Sequence, residues 1–215
     1  MSSAHPHLVW DWNGTLLNDL DLVVASTNAA FASIGGPAVT AAEHRVRFRR
    51  PIADYYAEVL GQAVDDAAFG QLDKIFHDVY KDGLTTCALA HDAVDAMSSW
   101  SGSQSLLSMW FHQDLVPTVR TYGLTSHFLR VDGLRAEVGG DRKAESLSRH
   151  LAGLGLDGRD VVLIGDSLDD ADAALSVGGR AVLYTGGFTD AARLRESGHP
   201  VADSLTQAVA LASVR

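Results

Sequence analysis

The stretch Leu8-Val9-Trp10-Asp11-Trp12-Asn13-Gly14-Thr15-Leu16 runs from an apolar segment into an aspartate and then a turn. A strand that stops at Asp11 and turns at Gly14 holds a carboxylate at the carboxyl edge of a sheet, where open α/β folds place their ligands. Asp11 is thus a candidate nucleophile or metal ligand. The competing reading is a turn aspartate that caps a helix starting near Leu16.

A second stretch has the same form. Val161-Val162-Leu163-Ile164-Gly165-Asp166-Ser167-Leu168-Asp169-Asp170 is a buried-strand pattern that ends in acids. Carboxylates gathered at a strand end repel one another and lose hydration, so they persist where a cation or a cationic side chain neutralises them. A hard, oxygen-seeking ion such as Mg²⁺ suits that ligand type. The alternative is a helix N-terminus decorated with acids, because Asp169 and Asp170 would favour the helix dipole.

Between the two stretches the periodicity changes once. From about residue 19 to 83 apolar residues recur at helical spacing, over 20–34, 52–60 and 69–79. Beyond residue 86, helices over 92–100, 113–122 and 142–154 and one from Asp170 alternate with strands over 105–107, 128–131, 161–164 and 181–184. That alternation predicts βαβ units and a parallel sheet, with Leu8 to Trp10 contributed from before the helical block. The fold class is therefore α/β, with residues 1–17 and 88–215 as a sheet-bearing core and residues 18–87 as an inserted all-helical domain.

Composition narrows the partners. The 215 residues are 47% hydrophobic and 20% charged with five prolines, which predicts a compact globular chain. A formal net charge of −10 disfavours nucleic acid and anionic membrane as partners, and leaves a small-molecule ligand and a monomer or homodimer as the expectation. Cys87 is the single cysteine, so neither an intrachain disulfide nor a Cys-based zinc site can form. With no basic-then-apolar leader and no apolar window of membrane length, a cytoplasmic location is expected.

Two polar residues lie between the acidic stretches. Ser108 ends the run that starts at Gln104, and Lys143 follows Gly140-Asp141-Arg142. The chain has three lysines, Lys74, Lys81 and Lys143, so a lysine acting in the sheet-bearing part must be Lys143. Taken singly, Ser108 reads as a helix cap and Lys143 as a solvated helix residue.

Taken in order, Asp11-x-Asn13-Gly14-Thr15, Ser108, Lys143 and Gly165-Asp166-Ser167-x-x-Asp170 resemble the four motifs of the haloacid dehalogenase superfamily. The resemblance covers essentially the whole chain, and the helical insertion is similar to the C1 cap of the phosphoglycolate phosphatase-like branch. It implies a Rossmann-like core, a cap over the site, and Mg²⁺-dependent phosphoryl transfer through an aspartyl phosphate on Asp11. It further implies that Asp166, Asp170, Asp11 and the Asn13 carbonyl hold the metal, and that Ser108 donates to a phosphate oxygen. Lys143 would neutralise both Asp11 and the transferring group, with Gly14, Thr15 and Met109 lining the phosphate site. Dehalogenation of carbon, which relatives perform without metal, is disfavoured by the pair Asp166 and Asp170.

Asn13 departs from the family pattern, in which a second aspartate protonates the leaving oxygen and then activates water. An amide does neither, and such help is worth about 10² to 10⁴ in rate. A good leaving group, another proton carrier, or a phospho-ligand-binding role with little turnover would each accommodate it. On this reading Asn13→Asp alone should release the brake. Specificity is expected in the cap, where Arg45-Val46-Arg47-Phe48-Arg49-Arg50-Pro51 resembles a specificity loop, with Arg47 and Arg49 as candidate ligands for a second anionic group. A solvated face paired with acids such as Glu43 and Asp54 is the alternative. Of the nine histidines, which show no metal-binding spacing, His112 is the candidate nearest the site.

Overall fold

The computed structural model describes residues 5–135 and 143–214. The first strand, β1 (His7–Trp10), leads through a two-residue strand, β2 (Leu17–Asn18), into four helices: α1 (Leu20–Ala32), α2 (Ala41–Arg47), α3 (Ile52–Leu60) and α4 (Asp66–Gly83). The chain then returns through β3 (Ala88–Leu89) and continues as α5 (Ala93–Ser99), β4 (Gln104–Phe111), α6 (His112–Thr121) and β5 (Val131–Leu134). The remainder is α7 (Lys143–Leu154), β6 (Val161–Gly165), α8 (Leu168–Ser176), β7 (Arg180–Tyr184), α9 (Ala191–Glu196), β8 (Val201–Ala202) and α10 (Leu205–Ala212).

Six strands form one parallel sheet in the order β5-β4-β1-β6-β7-β8. The expected α/β class with a Rossmann-like parallel sheet is the one found. Because successive side chains point to opposite faces, β1 splits its apolar residues between two cores. Leu8 and Trp10 join Leu106, Val162 and Ile164 against α5, α6 and α10, whereas Val9 joins Leu107 and Leu163 against α7, α8 and α9. Both faces are covered, which is why these strands read as continuous apolar runs. The helical block has a core of its own, built on Phe31, Tyr55, Tyr56, Val59 and Leu72, with α1 packed along α4.

Several elements differ from the periodicity reading. Strand β4 is eight residues long and carries Ser108 within it, with a register shift between Leu107 and Phe111. The strand expected over 128–131 lies instead at Val131–Leu134. Strands β2 and β3, absent from the periodicity, flank the helical block and pair antiparallel. Arg45 and Arg47 belong to α2, leaving a shorter connection over residues 48–51. The expected helical start at Arg142 lies outside the described residues.

One polar line, buried except at its Ser103 end, crosses the sheet. Ser103, His7, Ser105, His150 and Asp132 are linked at 2.8, 2.7, 2.7 and 2.8 Å, joining β1, β4, α7 and β5. Among the described residues no helix is long and apolar enough to cross a membrane.

Candidate active site

Register sets the site. Trp10 lies opposite Leu106 on one side and Ile164 on the other, so Asp11, Ser108 and Asp166 emerge at the same carboxyl edge. Strand β1 sits between strands reached by crossovers to either side, which is the switch point where such sheets bind ligands.

Asp11, Asp166 and Asp170 are all buried, and one carboxylate oxygen from each lies within 4.8 Å of the others. Lys143, 4% exposed at the start of α7, donates from Nζ to Asp11 Oδ1 at 2.6 Å and forms an ion pair with Asp170. Burial alone would pull this ammonium down, but Asp11 and Asp170 outweigh it and hold the lysine charged above its usual range. Burial pushes the Asp11 carboxyl up to about 7 against the pull of Lys143. It also pushes Asp166 well above the usual carboxylate range, with the charges of Asp11 and Asp170 adding to the rise.

Asp170 has two tasks. Its Oδ2 accepts from the Ser167 backbone N–H and hydroxyl, and the Ser167 hydroxyl caps the Asp170 amide, a reciprocal capping box that starts α8. The helix-cap reading of these acids is therefore correct and compatible with a site, because Oδ1 remains turned to Lys143. Asp166 is fixed differently: Oδ2 accepts the Phe188 amide at 2.5 Å. A Cβ on Gly14 would come 2.5 Å from that oxygen, and one on Gly187 would also collide with it. Gly14, at φ +70°, thus serves both turn and close approach.

The cleft above these groups is lined by Asp11, Asn13, Met109, Lys143, Asp166 and Asp169 from the core, and by Phe48 and Arg50 from the 48–51 connection. Ser108 is buried behind it and donates to Asn13 Oδ1 at 3.2 Å, while accepting the Trp110 amide at 3.0 Å. Thr15 is fully buried, and its Oγ1 has no hydrogen-bond partner among the described residues.

The arginine group divides. Arg45 donates to the carbonyls of Gly187 and Gly186 at 2.8 and 3.3 Å, so it ties α2 to the loop after β7. Arg49 pairs with Glu58 and reaches the Arg47 carbonyl; neither Arg47 nor Arg49 is among the cleft-lining residues. Arg50 lines the cleft instead, 3.7 Å from Asp169. His112 contacts Gly133 and Arg135 at the start of α6 and does not line the cleft. Periodicity also passed over Phe48, Phe188, Asp19 and Tyr80. Asp19 alone had a local signal, as an acid directly after the first motif.

Residues 139–208, which carry Lys143, Asp166 and Asp170, match the HAD-hydrolase-like family model. The whole chain is similar in fold to a predicted phosphatase from Clostridium acetobutylicum, at 15% identity over 97% of this chain and 98% of that one, with a TM-score of 0.83. A haloacid dehalogenase-like family hydrolase from Streptococcus pneumoniae is 20% identical over 97% and 98% of the two chains, TM-score 0.80. A predicted phosphoglycolate phosphatase from Haemophilus somnus is 16% identical over 98% and 99%, TM-score 0.75. No match was found among curated proteins. By fold the chain is haloacid dehalogenase-like, and over its last third it matches that family in sequence as well.

Proposed function

We propose that the protein is a Mg²⁺-dependent phosphohydrolase acting on a small anionic phosphorylated metabolite through an aspartyl phosphate on Asp11. The observation that carries this reading is the Lys143 ammonium set 2.6 Å from Asp11 within three converging carboxylates. With those carboxylates ionised, three negative charges face one ammonium, so an oxygen-seeking cation fits the remaining charge. Asp11, Asp166 and the Asn13 carbonyl would hold it, with Asp170 orienting its surroundings, and when bound it supplies charge neutralisation at the phosphate oxygens.

The chain's own groups account for positioning. Asp11 attacks phosphorus in line, and Lys143 removes the repulsion between a negative nucleophile and a negative substrate. Ser108 turns its hydroxyl from Asn13 to a phosphate oxygen, alongside Gly14, Thr15 and Met109. Residues 18–87 act as a cap on a core of 1–17 and 88–215, and the 48–51 connection brings Arg50 to the substrate's second anionic group. Asn13 supplies no proton, so alkyl phosphates turn over slowly, by about 10² to 10⁴ relative to a site with that help.

Phosphate release from a library of phosphomonoesters, acyl phosphates and anhydrides, with thermal shift on the same compounds with and without Mg²⁺, tests the reading. Turnover that needs Mg²⁺ and disappears in Asp11→Asn is expected. Stabilisation by ligands without any turnover would replace it with a phospho-ligand-binding role.

A further inference from the structure

Asn13 is held by contacts unrelated to phosphate. Its Nδ2 donates to Asp19 Oδ2 at 2.9 Å and to Tyr80 Oη at 2.8 Å. Tyr80 in turn donates to Asp19 Oδ2 at 2.6 Å, and Asp19 Oδ1 accepts the Gly14 amide at 2.7 Å. Both Asp19 and Tyr80 are 1% exposed, so water does not complete or relax these bonds.

Counting donors fixes what residue 13 can be. The Tyr80 hydroxyl has one hydrogen and spends it on Asp19, so it offers position 13 a lone pair only. Both oxygens of Asp19 already accept, Oδ1 from the Gly14 amide and Oδ2 from the Tyr80 hydroxyl, so in this arrangement it also offers lone pairs only. The side chain at position 13 must therefore supply two N–H or O–H hydrogens in these directions. An amide nitrogen carries two, a protonated carboxyl one, and a carboxylate none.

We infer that Asp19 and Tyr80 are positioning residues that select an amide at position 13 and aim its oxygen at the Ser108 hydroxyl. Tyr80 comes from α4, so the last helix of the helical block sets the chemistry at the first motif. Asn13→Asp alone then faces two acceptors with no hydrogen to give, and it does not by itself release the brake. The swap Asn13→Asp with Asp19→Asn restores the pattern with its direction reversed: the new amide at 19 donates to position 13 and to Tyr80, and Tyr80 donates to position 13.

Melting of the four proteins at one neutral pH tests the selection. Each single change leaves buried groups mismatched, which should lower Tm by about 5 °C, and the swap should melt within about 2 °C of the parent. Swap losses that equal the sum of the singles would overturn the inference. If the singles do not fold, a folded swap supports it and an unfolded swap counts against it. As a second measure, Asn13→Asp should cost less in a Tyr80→Phe background, where one acceptor is gone, and an equal cost there also overturns it.

The effect on rate rests on the phosphohydrolase reading and is measured separately, with para-nitrophenyl phosphate and MgCl₂. The swap should release phosphate at least tenfold faster than Asn13→Asp alone. Silence from all four proteins would count against the phosphohydrolase reading, while the melting cycle would still decide the selection.

Discussion

Lys143 holds two carboxylates with one ammonium, and both partners are buried with it. Removing one member of such a group leaves the other charges uncompensated, which costs about 3 to 5 kcal/mol. Lys143→Met should therefore lower Tm by about 10 °C in calorimetry. Added Mg²⁺ should recover more of that loss than it adds to the parent protein, because it meets an additional bare charge. A loss under about 2 °C would show that the ammonium is not compensating these carboxylates. At this scale the sequence disclosed Asp11, Asp166 and Asp170, since each stands where an apolar run stops. It did not disclose the role of Asp19, whose partner Tyr80 is 61 positions away and has no motif around it. Arg50 was equally hidden: four neighbouring arginines are chemically alike, and only the backbone path decides which one enters the cleft.

Among the elements, α2 and the connection after it are latched to the loop between β7 and α9. Arg45 donates to the Gly186 and Gly187 carbonyls, the Asp190 amide donates to the Arg45 carbonyl at 3.1 Å, and Arg193 donates to the Phe48 carbonyl at 2.8 Å. The bonds run in both directions across the gap, so the segment that carries Phe48 and Arg50 is tied to the segment that carries Phe188. Arg45→Met removes two of them. Hydrogen exchange at the Phe188 and Asp190 amides should then accelerate about thirtyfold, as expected from losing two bonds worth about 1 kcal/mol each. Unchanged exchange at both amides would show that aromatic packing of Phe48 on Phe188 holds the segments without the arginine. Helix α2 escaped the periodicity reading because His44 is its single buried residue, which leaves no apolar stripe. Its start was nonetheless written in the sequence as the capping box Thr40-x-x-Glu43.

Over the whole molecule the sheet was legible because β1, β6 and β7 are buried on both faces and so read as continuous apolar runs. Strands β2, β3 and β8 are two residues each, too short for any period to appear. Two buried histidines pull stability down in acid, while the raised carboxyls of Asp11 and Asp166 act in the opposite sense. Burial, with His150 nearby, holds His7 down to about 4, and burial with Arg45 nearby does the same for His44. Their folded values lie below the unfolded value near 6.5, so the unfolded chain binds more protons in that interval. Their contribution to stability is fully present above about pH 6.5 and is lost as pH drops toward 4. Each histidine contributes about 3 kcal/mol to that fall when it is complete, at about 1.4 kcal/mol per unit. In melting curves from pH 7.5 to 4.5 the parent should lose stability relative to His7→Asn, and a constant difference between the two would show that His7 does not resist protonation.

The line from Ser103 to Asp132 also has a direction. Asp132, as a carboxylate, can only accept, so the hydrogen of His150 sits on Nδ1 and its Nε2 is bare. Ser105 must then donate to His150 and accept from His7 Nε2, and the bare His7 Nδ1 must accept from Ser103. One carboxylate on β5 thereby dictates the tautomer of a histidine on β1, two strands away across the sheet. Arg130 donates to the same Oδ2 that faces His150, so Asp132→Asn would keep an oxygen there and leave the row's direction and the ¹⁵N shifts of His7 as in the parent.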